Sequence, residues 1–153
     1  GDKSFIIENE SCIEEAIKCF ENSKMKKILI ISQTTFSVKA FNDIAQKIKE
    51  IINIDVELVI KNTICNATEL RQRETDEISK RVDYMIIIGG KNGSNTKKLF
   101  DIASANCKNA VCLESNDELN IEEIKKYNII GIMAGASTPQ SSIEEIKQKL
   151  LSI

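Results

Sequence analysis

The sequence predicts an α/β fold with parallel sheets, because short apolar segments alternate with helical patterns along the chain. Five segments are nearly continuous in apolar residues and rich in β-branched ones, which is typical of buried parallel strands. They are residues 27–32, 56–60, 84–90, 110–115 and 129–135. Residues 4–9, with the sequence SFIIEN, are a weaker candidate for a sixth strand. At 153 residues the chain is long enough to bury a core.

Amphipathic helices are predicted between the strands, because apolar residues recur there at the spacing of one helix face. These positions are Ile13, Ala16, Ile17 and Phe20 in the first helix, Phe41, Ile44, Ala45, Ile48 and Ile52 in the second, and Ile143, Ile146 and Leu150 in the last. Pro139, the single proline, stands where the last helix begins, a position that suits its fixed φ. Each of these helices therefore has one face with which to cover a sheet.

Residues 66–81 differ from the other helical segments. Their sequence, NATELRQRETDEISKR, contains good helix formers but few apolar anchors, chiefly Ala67, Leu70 and Ile78. This pattern predicts a solvent-facing or interdomain helix. We place a lobe boundary just before it and predict two α/β/α lobes, residues 1–62 and 63–153. The first lobe has too few strands to be complete.

Composition excludes several classes of protein. The net charge of −2, with 29% charged residues, gives no electrostatic footprint for nucleic acid. No apolar run is long enough for a membrane span and the start does not resemble a signal peptide, so the cytoplasm is the expected compartment. The five cysteines form no CxxC pair, which argues against a disulfide scaffold or a self-contained zinc site. Histidine is absent, so acid–base chemistry must use other groups or residues outside this chain.

Polar side chains follow four of the predicted strands, where ligands bind in open α/β sheets. The segments are SQTTFS (32–37), NTICNAT (62–68), GGKNGSNT (89–96) and AGASTP (134–139). Such residues cap helices, and helix N-termini bind anions through free N–H groups and the dipole. Together the four favour a phosphate-like ligand, although helix capping alone produces the same composition. No P-loop and no G-x-G-x-x-G motif is present.

Cys65 stands at a strand end before a helix, where the thiolate form of a cysteine is favoured. Three interpretations are open for it. It is a structural cysteine, the nucleophile of a phosphatase with the spacing Cys65-x5-Arg71, or a thiolate ligand to a metal cluster whose other ligands lie outside this chain. The phosphatase spacing lacks a glycine to curl the loop, and it would place Glu69 against a phosphate dianion.

Four motifs, in order and at matching spacing, resemble the hydroxymethylbutenyl diphosphate reductase family, whose members end the methylerythritol phosphate route to isoprenoids. The family patterns QTT-x-S, TIC-x-AT-x-x-RQ, G-KN-x-SN and AGAS-P occur here at residues 33–37, 63–72, 89–95 and 134–139. The resemblance extends from about residue 27 to the end. Each fragment alone is weak, and the four in register make the assignment specific.

The resemblance implies a three-lobed, pseudo-symmetric α/β enzyme around a central cavity, in which each lobe gives one cysteine to a 4Fe–4S cluster. With electrons from a donor such as ferredoxin or flavodoxin, such an enzyme removes the allylic hydroxyl of its diphosphate substrate as water. The products are isopentenyl and dimethylallyl diphosphates. On this basis residues 1–62 are the later part of the second lobe and residues 63–153 are the whole third lobe. The missing N-terminal lobe is an expected partner.

The resemblance also assigns roles to individual residues. Cys65 is the cluster ligand of the third lobe, and Thr35 is the catalytic threonine that contacts the substrate hydroxyl and helps to relay a proton. Three further residues match those that bind the diphosphate, namely Ser94, Asn95 and Ser137. Gly93 departs from the family, which usually has a serine donor there.

The absence of the first lobe removes the family's other cysteine regions, its histidines and its catalytic glutamate. We therefore expect the isolated chain to be inactive and to hold no cofactor. Two alternatives are kept: a cysteine phosphatase that uses Cys65 and Arg71, and a non-catalytic α/β module that binds anions.

Overall fold

All five of the predicted strong strands form, and each is parallel to its neighbours. The structure is a computed structural model that describes residues 4–23, 25–52 and 55–153. The strands are β1 Lys27–Ile30, β2 Glu57–Ile60, β3 Tyr84–Ile88, β4 Ala110–Leu113 and β5 Ile130–Ala134. The helices are α1 Ile13–Asn22, α2 Val38–Ile51, α3 Asn66–Ser79, α4 Ser94–Asn106, α5 Ile121–Ile124 and α6 Gln140–Leu151. The predicted α/β class with parallel sheets is confirmed.

The chain divides into two compact units, Gly1–Ile64 and Cys65–Ile153, called the first and second unit below. The first unit pairs β1 with β2, in a register that runs from Lys27 opposite Glu57 to Ile30 opposite Ile60. Helices α1 and α2 pack together on one face of this sheet. Their shared core consists of Ile13, Ile17, Ile44 and Ile48, with the strand residues Ile30 and Leu58 against it.

The predicted sixth strand at residues 4–9 is wrong, because residues 4–8 form no strand in the described structure. The segment instead leads into a short 3-10 turn at Glu10–Cys12. Asn9 caps this turn, since its side-chain oxygen accepts the Ser11 N–H at 3.0 Å. Ile7 packs against the first unit's core without joining a sheet. Capping by the short polar side chain of Asn9 therefore stabilises a turn next to a segment whose β-branched residues predicted a strand.

The second unit has three layers, with β3 between β4 and β5. Every residue of β3 is buried, because helices cover both faces of the sheet. On one face Ile86 and Ile88 pack against Ile124 of α5 and Ile146 of α6. The other face is covered by α4 and α3, through the core residues Met85, Ile87, Leu99 and Ala103 with Ile78 against them. This unit is an α/β/α sandwich with helices on both faces of its sheet.

Helix α3, which the sequence predicts to be solvent-facing or interdomain, packs one of its faces against α4. The buried residues of α3 are polar, namely Thr68, Gln72, Thr75 and Ser79, whereas the expected anchor Leu70 is exposed. Thr75 donates its hydroxyl to the Arg71 carbonyl at 2.7 Å, and Asn106 of α4 donates to Ser79 Oγ at 3.0 Å. Because these hydroxyls are bonded, burying them costs little. The apolar pattern alone could not reveal this face.

No helix among the described residues has both the length and the apolar composition that a membrane crossing requires.

Candidate functional site

Two of the polar strand-end segments meet in the second unit, because β3 and β5 are adjacent and parallel. Gly135, in the loop after β5, donates its N–H to the carbonyl of Ile88 at the end of β3, at 2.8 Å. Thr138 of the same loop donates its hydroxyl to that carbonyl, also at 2.8 Å. The loop that contains Ser137 is therefore bonded directly to the strand that leads into the GGKNGSN loop. Ser137 itself is exposed.

Thr96, in the first turn of α4, leaves no room for a side chain at Gly89 after β3 or at Gly135 after β5. A Cβ placed on Gly89 would lie 2.6 Å from Thr96 Oγ1, and one placed on Gly135 would lie 2.5 Å from the same atom. Gly89 also has a φ of +150°, which side chains rarely adopt. The two glycines therefore let both loops close around one buried threonine at the start of α4.

Asn95 is the most informative residue at this helix start. It is only 8% exposed, yet neither its Oδ1 nor its Nδ2 has a hydrogen-bond partner in the described structure. A buried polar group that lacks a partner costs about 1–3 kcal/mol, so such groups are rare and call for an explanation. Because the N-terminus of a helix attracts anions, a ligand with acceptor oxygens would satisfy the Nδ2 donor.

Gly93 is the N-cap residue of α4, with φ −72° and ψ 124°. These angles are open to any residue, so the backbone gives no reason for a glycine here. A Cβ at this position would lie 3.1 Å from the Gly90 carbonyl oxygen, a tight contact that a small loop shift would relieve. Ser94, the next residue, is exposed and is the first residue of α4.

The carboxylates of Glu114 and Glu118 bond to the GGKNGSN loop, an arrangement that the sequence analysis did not predict. Lys91 donates its backbone N–H to Glu114 Oε1 at 2.6 Å, and its ammonium pairs with Glu118. Glu114 in turn donates its N–H to Glu118 Oε1 at 3.0 Å. The hydrogen bond to Glu118 raises the pKa of Lys91, and the same bond lowers the pKa of Glu118. The Lys91 ammonium is therefore already engaged by a carboxylate.

The two strand ends of the first unit are joined by a threonine. Thr63 Oγ1 accepts the Ser32 N–H at 2.9 Å and donates to the Ser32 carbonyl at 2.5 Å. These bonds continue the strand pairing beyond the last backbone bond, from Lys61 N–H to the Ile30 carbonyl at 2.9 Å. Thr35 lies three residues after Ser32 and is half-buried. The segments SQTTFS and NTIC are thus fixed to each other.

Cys65 is the N-cap residue of α3 and its thiol is exposed. Its carbonyl accepts the Thr68 and Glu69 N–H groups at 2.8 and 3.0 Å, so its place at the helix start is well defined. Within residues 4–23, 25–52 and 55–153, no three His, Cys, Asp or Glu side chains are grouped so that they could hold a metal ion. Cys65 therefore offers a single accessible thiol.

The phosphatase interpretation does not fit the structure. Residues 66–71 are already helical, so no phosphate-cradling loop separates Cys65 from Arg71. Arg71 donates to the Ala67 carbonyl of its own helix at 3.3 Å.

Among the proposed site residues, the structure brings the start of α4, which contains Ser94 and Asn95, next to the loop that contains Ser137. All three belong to the second unit together with Cys65, whereas Thr35 belongs to the first.

Comparison with known proteins supports the resemblance. The family model described as LytB protein matches residues 1–151. The 4-hydroxy-3-methylbut-2-enyl diphosphate reductase of Caldanaerobacter subterraneus subsp. tengcongensis is 45% identical over 153 residues, which cover 99% of this chain and 50% of that protein. The reductase of the same name from Helicobacter pylori strain P12 is 38% identical over 146 residues, which cover 95% of this chain and 52% of that protein.

Solved structures give the same result. A reductase structure from Plasmodium falciparum superposes with a TM-score of 0.78 at 28% identity, over 95% of this chain and 44% of that chain. A second structure, of (E)-4-hydroxy-3-methyl-but-2-enyl diphosphate reductase, has a TM-score of 0.60 at 36% identity, over 96% of this chain and 49% of that chain. The chain thus spans about half the length of these relatives. Because the family model matches nearly every residue, the chain belongs to the LytB family.

Proposed function

We propose that this chain is the later part of a 4-hydroxy-3-methylbut-2-enyl diphosphate reductase, with residues 1–62 in its second lobe and residues 63–153 as its third. The matched relatives bear that name and are about twice as long as the matched segment. The complete enzyme takes two electrons and two protons, releases the allylic hydroxyl as water, and gives isopentenyl and dimethylallyl diphosphates. The structural observation that most directly supports this role is the buried, unpaired amide of Asn95.

The diphosphate of the substrate is proposed to bind at the start of α4. The Asn95 Nδ2 group is buried without a partner and can donate to a phosphate oxygen. Ser94 at the first position of α4 and Ser137 on the neighbouring loop are exposed, and both match residues that bind the diphosphate in the family. The positive end of the α4 dipole adds to this attraction.

Thr35 and Cys65 are proposed to serve the reacting end of the substrate. Thr35 contacts the allylic hydroxyl and relays a proton to it. Cys65 fits a thiolate ligand of a 4Fe–4S cluster, because it is exposed at the start of α3 and thiolates are the usual ligands of such clusters. When bound, such a cluster would pass electrons to the substrate. The remaining thiolates belong to the part of the reductase outside this chain, and a donor such as ferredoxin or flavodoxin supplies the electrons.

The anion site can be tested on this chain by calorimetry with pyrophosphate. A hydrogen bond to a charged group contributes about 1.5–3 kcal/mol, so Asn95→Leu is expected to weaken binding by about tenfold or more. The same substitution removes an unpaired buried amide at similar volume, so the melting temperature without ligand should stay equal or rise. Asn128→Ala is the matched control, because Asn128 is exposed and precedes β5 at the opposite end of the sheet.

Equal pyrophosphate affinity in the parent chain and Asn95→Leu would place the anion elsewhere. A lower melting temperature with unchanged affinity would make Asn95 a structural residue. Turnover of hydroxymethylbutenyl diphosphate by the complete reductase separates the proposal from a non-catalytic anion-binding module. Hydrolysis of a generic aryl phosphate by this chain, lost in Cys65→Ser, would instead support the phosphatase.

A further inference from the structure

Helix α4 starts directly from a tight turn after β3. Residues 90–93 form this turn, which is closed by the Gly93 N–H donating to the Gly90 carbonyl at 2.9 Å. Gly93 is also the N-cap of α4, and its carbonyl accepts the Lys97 N–H at 2.9 Å. The last residue of the turn is thus the first that bonds to the helix. Where the turn is held therefore determines where the start of α4 lies.

Glu114 reaches this turn from the end of the neighbouring strand. Because β4 is parallel to β3, and the Gly89 N–H donates to the Leu113 carbonyl at 2.9 Å, the two strand ends lie side by side. Glu114 Oε1 accepts the Lys91 N–H at 2.6 Å. A Cβ placed on Gly90 would lie 3.9 Å from the same oxygen. One carboxylate oxygen therefore lies against the first half of the turn and bonds to its main chain.

Glu118 holds Glu114 at the turn. The Glu114 N–H donates to Glu118 Oε1 at 3.0 Å, and Glu118 pairs with the Lys91 ammonium. Together with the bond from the Lys91 N–H to Glu114, these contacts close a ring of three residues. Hydrogen bonds that involve a charged group are stronger than neutral ones. The ring therefore ties Lys91 to the end of β4 through both its main chain and its side chain.

We propose that Glu114 is a positioning residue for the diphosphate site, because it fixes the turn from which α4, with Ser94 and Asn95, begins. This inference rests on the proposed function. A carboxylate close to an anion site weakens anion binding through its charge, so Glu114 has to act through the hydrogen bond that it accepts. The two effects have opposite signs, and substitutions at this one position separate them.

The test compares Glu114→Gln with Glu114→Ala in the complete reductase. Glutamine keeps an oxygen that can accept the Lys91 N–H but lacks the charge, whereas alanine lacks both. The KM for hydroxymethylbutenyl diphosphate should stay within about twofold of the parent in Glu114→Gln and rise about fivefold in Glu114→Ala. Both variants should keep the parent kcat, because Glu114 bonds to the turn and not to the reacting end of the substrate. Calorimetry with pyrophosphate on this chain should give the same order of affinities.

Asp117→Ala is the matched control. Asp117 is exposed in the 3-10 turn Asn116–Glu118, close in sequence to Glu114, and among the described residues it has no hydrogen bond to the turn at 90–93. Its substitution removes a nearby negative charge without removing such a bond. The KM of this variant should therefore stay equal to that of the parent or fall.

An unchanged or lower KM in Glu114→Ala would overturn the proposal, and so would an equal rise in Glu114→Gln. A fall in kcat as large as the rise in KM, together with a lower melting temperature, would make Glu114 a purely structural residue and would also overturn it.

Asn95→Leu in the same two assays tests the proposed function separately. Weaker binding in Asn95→Leu with parent-like binding in Glu114→Ala would refute the positioning role alone. Absence of turnover in the complete reductase, with the expected order of pyrophosphate affinities in this chain, would refute the proposed reaction and leave the positioning role standing.

Discussion

The Thr63 hydroxyl extends the hydrogen bonding between β1 and β2, because it bonds to the main chain of Ser32 where a main-chain partner would otherwise stand. By accepting from the Ser32 N–H and donating to the Ser32 carbonyl, it satisfies both main-chain groups of that residue. The strand ladder is thereby extended to the point where the loop with Thr35 begins. Asn62 holds the same segment by accepting the Ile64 N–H at 2.9 Å. Thr63, which follows β2, thus bonds to the residue that precedes the QTTFS segment with Thr35.

Thr63→Val should release this connection, because valine has the same shape without the hydroxyl. A neutral hydrogen bond contributes about 0.5–1.5 kcal/mol, so the Ser32 amide is expected to exchange with solvent up to about tenfold faster. Thr63→Ser keeps the hydroxyl and should restore slow exchange. Amide hydrogen exchange by NMR checks this, with the Ile86 amide in the second unit as reference. Equally fast exchange in the Val and Ser variants would show that the hydroxyl is not the cause.

Gly93 offers a second test at the scale of one residue. Its φ of −72° lets a serine enter without backbone strain, and the hydroxyl would stand at the N-cap of α4 near the proposed anion. Gly93→Ser is therefore expected to tighten pyrophosphate binding by about tenfold. Gly93→Ala is the control, because it adds the same Cβ beside the Gly90 carbonyl without a donor.

Calorimetry with pyrophosphate on both Gly93 variants distinguishes the effect of the added hydroxyl on affinity from the steric effect of the added Cβ. Equal weakening by Ser and Ala would mean that the loop needs the space at position 93. Ser137→Ala, on the neighbouring loop, is expected to weaken binding, because it removes a hydroxyl from the same proposed site.

At the scale of an element, the loop between β3 and α4 is held by Lys91, Glu114 and Glu118. Because its hydrogen bond to Lys91 lowers the pKa of Glu118, the Lys91–Glu118 pair stabilises the folded chain above the ordinary glutamate range. This contribution is lost as the pH falls through the lowered value. The pKa of Lys91 is raised, mainly by the same hydrogen bond, so at the alkaline end the contribution is lost as the pH rises through that raised value.

Lys91→Gln should raise the pKa of Glu118 back towards the ordinary glutamate range, because it removes the main cause of the lowering. An NMR titration of the Glu118 side chain measures this directly. Lys125→Gln is the matched control, since Lys125 pairs with the exposed Glu122 on α5, away from the loop. An unchanged Glu118 titration in Lys91→Gln would show that the pair does not persist in solution.

Sequence patterns predict the elements well where burial decides the pattern. The five strong strands and the core faces of α1 and α2 follow from apolar spacing alone. The prediction of a strand at residues 4–9 is wrong, and the buried polar side of α3 was not predicted. In both places short polar side chains bond to nearby main chain or to a neighbouring helix. Such bonds leave no periodic apolar signal.

At the scale of the whole chain, the motifs of the proposed site could be predicted from the sequence, but its geometry could not. The motifs indicate the strand-end loops, and parallel strands bring two of them to one edge. The unpaired burial of Asn95 and the closure of both loops around Thr96 depend on contacts between distant segments. The same holds for the bond from Lys91 to Glu114, whose residues lie 23 positions apart. Only a folded structure reveals contacts of this kind.

Cluster binding is the prediction that concerns the complete protein. Within this chain Cys65 offers one exposed thiol, and the described residues contain no group of three potential metal ligands. A 4Fe–4S cluster is held by three or four convergent ligands, mostly thiolates. Anaerobic reconstitution of this chain with iron and sulfide should therefore yield well below four irons per chain, counted by chemical analysis and spectroscopy. A stoichiometric cluster bound through Cys65 in one chain would contradict the proposal that the other ligands lie outside this chain.

The complementary experiment uses the complete reductase with Cys65→Ser. Serine has nearly the volume of cysteine, and Cys65 is exposed, so the melting temperature of the apoprotein should change little. A hydroxyl is a poor ligand for iron that prefers soft thiolate, so the variant should lose the cluster absorbance and turnover together. Cys19→Ser is the matched control, because Cys19 is also exposed but lies on α1 in the first unit, and it should keep both. Normal turnover in Cys65→Ser would exclude Cys65 as a ligand and would support its interpretation as a structural cysteine.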